Sequence, residues 1–483
     1  MPMPTPSNPI ATAAAIGDRS DYDRQTTTTA YAPAILVEIG ESLGDVRAVT
    51  DTVVVVDNET GTIVEVRPRR PSDDDDDAVV TLPAGHALAP GFIDCHAHAP
   101  QYSYTGTATH LELMRWLDEV TFPAEAALKD VDAARRLYET LVRRLLRLGT
   151  TTACYFGTIH EDATVALAEI CATKGQRALV GKVSMDRLGP ADYCEASADV
   201  AIAAARSAAV RIRALGSSLV EPIVTPRFVP TCTPALLRGL ARLAEEMGMP
   251  VQSHIAESDG EVALCERMEG SRDPALLDAA GLLTSRAIMA HAVKLNASEV
   301  ALLASQGTAI ASCPLSNAHF ADGTLMLRQA HRAGVKVGLG TDIAGGVSPS
   351  MLASARQSVV SSRAAVHEAA RAIKGQGRPW DEANQAAEAA HALNWRDGWW
   401  LGTAGGARAL GLDEVTGRLA PGRQFDALLV DMTGASTDAY DAFDGESDVE
   451  RMEKWFNLGD DREIRRVWVG GRVVCDKGLG SHA

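Results

Sequence analysis

None of the eight cysteines (Cys95, Cys154, Cys171, Cys194, Cys232, Cys265, Cys313 and Cys475) stands in a Cys-x-x-Cys pair. That absence excludes a zinc knuckle and a dithiol redox motif. In so long a chain the cysteines are expected to stay thiols, as in a reducing cytoplasm. Positive charge is also scarce: 46 Lys and Arg face 63 Asp and Glu, a formal net charge of -17. Nucleic-acid phosphates demand a basic footprint and anionic membranes attract one, so neither partner is expected. No apolar run approaches the ~20 residues needed to span a bilayer. The N-terminus has no basic residue before Arg19 and only a short apolar stretch at 11–16, so no secretory signal is read there.

What the chain does have is length and a soluble balance, 483 residues with 46% hydrophobic. One ordinary core does not absorb that much chain, and two domains are expected. Residues 1–28, rich in Pro, Ala, Thr and Ser, read as a disordered lead-in. Segments 35–39, 52–56 and 61–66 near one end, and 426–430, 466–469 and 472–474 near the other, are β-branched runs set off by turn residues. They predict a small β-sandwich domain assembled from 29–88 and 412–483. The acidic run 73–77 reads as a solvated loop tip.

Between these ends short apolar runs alternate with helical patterns. Eight strands are predicted, at 91–94, 151–156, 178–183, 222–225, 251–254, 287–291, 308–312 and 336–340. One helix, 131–148, puts Val131, Ala134, Leu137, Leu141, Leu145 and Leu148 near one face and stops at Gly149. Eight strand–helix alternations are the arithmetic of an α/β fold of the (β/α)8 TIM-like barrel type, placed at 89–411.

In such a barrel the catalytic groups stand at the C-terminal strand ends. His96 and His98 follow the first predicted strand, two apart, a spacing that turns both imidazoles to one side of an extended chain. His254 ends the fifth strand, His291 the sixth and Asp342 the eighth. A lone histidine at a strand end is ordinarily a satisfied polar residue, and Asp342 alone reads equally as a helix cap. Their joint placement in strand order is different: three of these imidazoles and the carboxylate suit a divalent ion such as zinc, with a position left for water. The same N/O donors suit iron or manganese. Glu257, three residues past His254, fits a proton shuttle, and Asp342 can share the water's proton. The other histidines carry no such placement and read as structural or surface residues.

Pro90-Gly91-Phe92-Ile93-Asp94 followed by His96-Ala97-His98 resembles the opening signature of the amidohydrolase superfamily, and the order His-x-His, His, His, Asp on strands one, five, six and eight is similar too. Two-metal members carry a lysine after strand four. Here that region, 222–228, has none, which favours a one-metal deaminase of purines or pyrimidines. Narrower pieces resemble the guanine-deaminating branch: His98-Ala99-Pro100-Gln101-Tyr102, Thr121-Phe122-Pro123, Thr225-Pro226-Arg227-Phe228 and Gly340-Thr341-Asp342. The resemblance implies that His96, His98, His254 and Asp342 bind one zinc per subunit. Glu257 would move a proton to N3 of the purine, and His291 would polarise the attacking water. Gln101 and Arg227 would hold the purine's polar edges, Arg227 at O6, with Phe228 near the ring face and His254 and Glu257 also lining the substrate site. It further implies a homodimer acting on a small-molecule purine. Relatives acting on a modified purine, a pterin or an s-triazine, and a non-enzymatic scaffold on the same barrel, are the competing readings. Residues 318–320 and the Trp-rich segment 374–400 match no part of the pattern, and the latter reads as an insertion serving packing or an interface.

Overall fold

The protein is described from a computed structural model covering residues 27–478 apart from 77, 322, 435, 436, 442 and 444. The expected lead-in lies outside the described residues up to 26, as does His482. Its last two positions are a correction: residue 28 already opens a strand, Thr28–Ala32.

Eight parallel strands follow one another through the middle of the chain: Phe92–His98, Thr150–Phe156, Arg177–Gly181, Val220–Pro222, Val251–Ile255, Ala287–His291, Ala309–Ser312 and Val337–Leu339. We refer to them as strands one to eight. Their ladder is interrupted. Strands four, three, two and one pair in one arc, and strands five to eight in a second. The arcs meet at a parallel bridge between Val224 and Val251. On the other side, the Asp342 N–H donates to His96 O (2.8 Å) and the His98 N–H to Ile343 O (3.1 Å). The predicted fourth strand, 222–225, is split into Val220–Pro222 and Thr225–Pro226, the latter pairing with Val183–Ser184. The two pieces pair with different partners, Val220–Pro222 with strand three and Thr225–Pro226 with Val183–Ser184, so the chain changes neighbours at residues 223 and 224.

Helices fill the connections and cover the strands. The first long one, Val131–Arg147, starts at Asp130, whose side chain accepts from the N–H groups of Asp132 and Ala133. Ala134, Tyr138, Leu141, Val142, Leu145 and Leu146 form its buried face. Gly149 then turns the chain with φ of 83° into strand two.

The chain ends form two further sheets, one drawing on both ends and one on the N-terminal part alone. A six-stranded sheet orders Arg472–Asp476, Ile464–Val469, Ala427–Asp431, His86–Pro90, Ile35–Ile39 and Val46–Val49. A four-stranded sheet orders Ile63–Pro68, Thr52–Asp57, Thr28–Ala32 and Val79–Thr81. One apolar cluster joins them, with Val54, Val56 and Ile63 from one sheet and Leu36, Leu88, Leu429 and Trp468 from the other. The acidic run corrects its expectation in part. Asp73 is buried, accepting from Arg67 Nη1 and Nη2 and from the Arg70 N–H, because one short turn folds it back onto the strand edge.

Within the segment 374–400, most of 374–391 is exposed, whereas Trp395, Trp399 and Trp400 are buried. The helix Met351–Gly375 runs alongside Trp380–His391, and Trp395–Trp400 follows. Trp399 lies 5.2 Å from the Trp455 ring, and the Trp400 indole donates to Gly40 O at 3.0 Å. Among the described residues no helix is long and apolar enough to cross a membrane, and all eight cysteines are unpaired.

Candidate active site

The residues singled out at the strand ends converge. One ring nitrogen each from His96, His98 and His254 lies within 4.8 Å of the others, and Glu257, His291 and Asp342 form a second group by the same measure. Asp342 Oδ1 stands 3.1 Å from His96 Nε2 and 3.5 Å from His98 Nε2, which joins the groups. His98 Nε2 faces His254 Nε2 at 3.1 Å. His291 Nε2 lies 3.6 Å from Glu257 Oε2 and 3.9 Å from Asp342 Oδ2. The Phe156 ring, from the end of strand two, packs against His96, His98 and His254 with centroids 4.7 to 4.8 Å away.

The backbone at these strand ends is bent to aim the side chains. Ala256 (φ 45°), His291 (71°), Ala292 (57°) and Asp342 (46°) all take left-handed conformations unfavourable for residues with a Cβ. Asp94 holds the eighth strand end against the first: its carboxylate accepts from the Thr341 N–H (2.9 Å), Thr341 Oγ1 (2.5 Å) and the His96 N–H (3.2 Å). Burial pushes the Asp94 carboxyl up to about 7. Gly345 leaves the room required beside Asp342. A Cβ there would come within 2.6 Å of Asp342 Oδ2 and Ser316 Oγ.

The arrangement fits a divalent ion. Burial keeps His96, His98 and His254 well below the ordinary imidazole range, so they are neutral, with lone pairs that a metal could take. His254 Nδ1 sits 2.5 Å from Arg227 O, which can only accept, so Nδ1 holds the proton and Nε2 is left with its lone pair. His291 is fixed likewise by Asn317 Oδ1 at 3.0 Å from Nδ1. Three buried ring nitrogens of this cluster, His96 Nε2, His98 Nδ1 and His291 Nε2, have no hydrogen-bond partner. Lone pairs aimed at one another without a shared proton repel, and a cation among them removes the conflict. The Glu257 carboxyl is raised well above its usual range by burial and by the nearby Asp342, so it readily holds a proton.

A pocket opens over these groups, lined on its apolar side by Leu113, Trp116, Leu117, Phe228 and Phe320. Gln101 and Arg227 reach it from another wall. His98, Gln101, Arg227, Phe228, His254, Glu257, His291 and Asp342 line this pocket, and His96 lies beside them in the histidine group. Several participants were given no role from the sequence. Glu125, buried on the helix Phe122–Ala127, receives Arg227 Nη1 at 2.6 Å and Nη2 at 3.1 Å. Tyr193 donates to the same carboxylate, and Asn317, Ser316 and Cys313 stand behind His291 and Asp342. Burial and then Asp342 push the Cys313 thiol well up, which keeps it protonated. Only Thr121-Phe122-Pro123, quoted for its motif, hinted at Glu125 two positions on.

Neutral imidazoles, a carboxylate and a proton-holding glutamate at the C-terminal ends of parallel strands define a metal-dependent hydrolase. The chain belongs to the amidohydrolase family, whose pattern matches residues 87–474. It is similar to the guanine deaminase of Dictyostelium discoideum, 38% identical over 389 residues, covering 80% of this chain and 82% of that one. Its fold is similar to the crystal structure of guanine deaminase from C. acetobutylicum with bound guanine in the active site: TM-score 0.81, 27% identity, covering 92% of this chain and 99% of that one. An adenosine deaminase from Xanthomonas campestris, solved with bound zinc, matches with a TM-score of 0.75 at 27% identity over 92% of each chain.

Proposed function

We propose that the chain hydrolyses guanine to xanthine and ammonia, using one zinc held by His96, His98, His254 and Asp342. The observation that carries this reading is the meeting of those four ligands with Glu257 and His291 beneath a pocket whose polar wall is Arg227 and Gln101. The similarity to guanine deaminases over four-fifths of the chain supports the substrate, and the zinc-bound neighbour supports the metal. Iron or manganese is the alternative for the same donors.

When bound, the ion supplies hydroxide near neutral pH by lowering the pKa of water to about 7. The chain's residues do the rest. Glu257 takes the attacking water's proton and delivers it to N3 of the purine as the C2–O bond forms. His291 Nε2, with its proton committed to the Asn317 side on Nδ1, accepts a hydrogen bond from the attacking oxygen. Asp342 takes the remaining hydroxyl proton and passes it to the amine, which leaves as ammonia while C2 becomes a carbonyl. Arg227 donates to O6, Gln101 holds the neighbouring edge, and Phe228 packs at the ring. A donor at O6 rejects adenine, whose C6 amine cannot accept. The apolar wall excludes water and strengthens each contact.

The same proposal takes the eight strands as a (β/α)8 barrel at 89–411 and the two end sheets as a β-sandwich at 29–88 and 412–483. It adds a homodimer in the cytoplasm. The test is ammonia release by purified, metal-analysed protein from guanine, 8-oxoguanine, adenine, cytosine and ammeline. Guanine is expected to dominate; release from guanine no faster than from the others overturns the substrate assignment.

A further inference from the structure

Arg227 and Gln101 share one buried anchor. Glu125, fully enclosed, accepts four hydrogen bonds, two at each oxygen: Gln101 Nε2 (2.8 Å) and Arg227 Nη2 (3.1 Å) at Oε1, Arg227 Nη1 (2.6 Å) and the Tyr193 hydroxyl (2.6 Å) at Oε2. Tyr193 is itself oriented, accepting from the Ile159 N–H at 3.3 Å. The Arg227 guanidinium also lies 5.0 Å over the Phe122 ring, three residues before Glu125. Burial pulls that guanidinium down, but the Glu125 charge and hydrogen bonds outweigh it, so Arg227 stays charged.

We propose that Glu125 is a specificity-determining positioning residue, which fixes the polar wall of the pocket so that it can only donate hydrogen bonds. The proposal rests on the guanine reading above. The decisive group is the Gln101 amide, which by itself can present either an oxygen or an NH2. Its Oε1 is taken by the Ala344 N–H at 3.0 Å, and one Nε2 hydrogen goes to Glu125. Turning the amide over would set its oxygen against the Glu125 carboxylate and its NH2 against the Ala344 N–H. Both contacts would be repulsive, so a single N–H remains for the pocket. Arg227 has no acceptor, and the two N–H groups spent on Glu125 leave three. A purine edge with acceptors at O6 and N7 satisfies this wall. An edge with an amine at C6 leaves buried donors facing a donor, the mismatch that gives strong discrimination.

The test is the ratio of kcat/KM for guanine to that for 2,6-diaminopurine, which keeps the C2 amine and replaces O6 by an amine. Glu125→Gln gives position 125 an NH2, frees Gln101 to turn over, and is expected to lower the ratio about tenfold or more. Tyr193→Phe removes one hydrogen bond and leaves the carboxylate; it is expected to lower the ratio about threefold. It decides the matter alone should Glu125→Gln fail to fold. A residue that merely supports the fold would depress both substrates alike and leave the ratio unmoved. Variants that bind metal and keep the ratio within about twofold of wild type overturn the role of Glu125. Wild-type protein that releases no ammonia from guanine overturns the parent reading instead, and is seen in the unmutated arm.

Discussion

At the strand ends His96 and His291 keep buried ring nitrogens without a hydrogen-bond partner, and an Asp and a Glu are buried among neutral imidazoles. In the sheets built from the chain ends the buried charge is arranged differently. Asp426 accepts from Arg177 Nε (3.0 Å) and Nη2 (3.3 Å) and from the Gly470 N–H (2.7 Å), next to a cluster that is otherwise apolar. Backbone conformation divides in the same way. Among the described residues eight non-glycines have positive φ; Ala256, His291, Ala292 and Asp342 sit together at the mouth, while Asp51, Ala108, Leu188 and Asp438 are scattered. Unsatisfied groups and strained backbone cost stability and persist only where the surrounding structure holds them. His86 Nε2 in the six-stranded sheet is also buried without a partner, so it is their clustering with buried carboxyls at the mouth that points to function. The mouth is built for chemistry, the end sheets for stability.

That contrast can be broken from either side. Glu257→Gln, at the mouth, is expected to keep its metal and lose about 10²- to 10⁴-fold in turnover, measured by ammonia release alongside metal content; an active variant removes the proton shuttle. Asn317→Ala frees the His291 ring and is expected to cost about 10- to 100-fold in activity with little change in melting temperature. Trp468→Ala, in the end sheets, is expected to cost about 3 to 5 kcal/mol in denaturant unfolding. Activity per folded molecule should survive; its loss would show that the two regions are not separable. The mildest change is Glu388→Ala, which removes a 3.4 Å pair with Arg363 in which both side chains are about half exposed. It is expected to shift stability by no more than about 0.5 kcal/mol and activity not at all.

The legible part of the site was the part carried by single strand ends. His96, His98, His254, His291 and Asp342 each follow a short apolar run, and that pattern alone places them on one rim. Glu125 and Tyr193 were illegible because their meaning lies in contacts: Glu125 with Arg227, 102 positions away, and Tyr193 with Glu125, 68 away. In the fold, the strands Thr28–Ala32, Val46–Val49, Val79–Thr81 and His86–Pro90 were missed. Each has five residues or fewer, and their pairing partners lie outside the local window, as with His86–Pro90 against Ala427–Asp431. The split of strand four was hidden because the run 222–225 reads as continuous, while the change of pairing partner within it depends on strands far away in the sequence.

Metal analysis of the purified chain, paired with the Asp342→Asn variant, bears most directly on the centre of this account. The account predicts a single equivalent of a divalent ion, zinc, on the wild type. It also predicts sharply reduced metal on the variant, and wild-type activity that chelation abolishes and added zinc restores. Metal-free protein that still deaminates guanine at the full rate would contradict it.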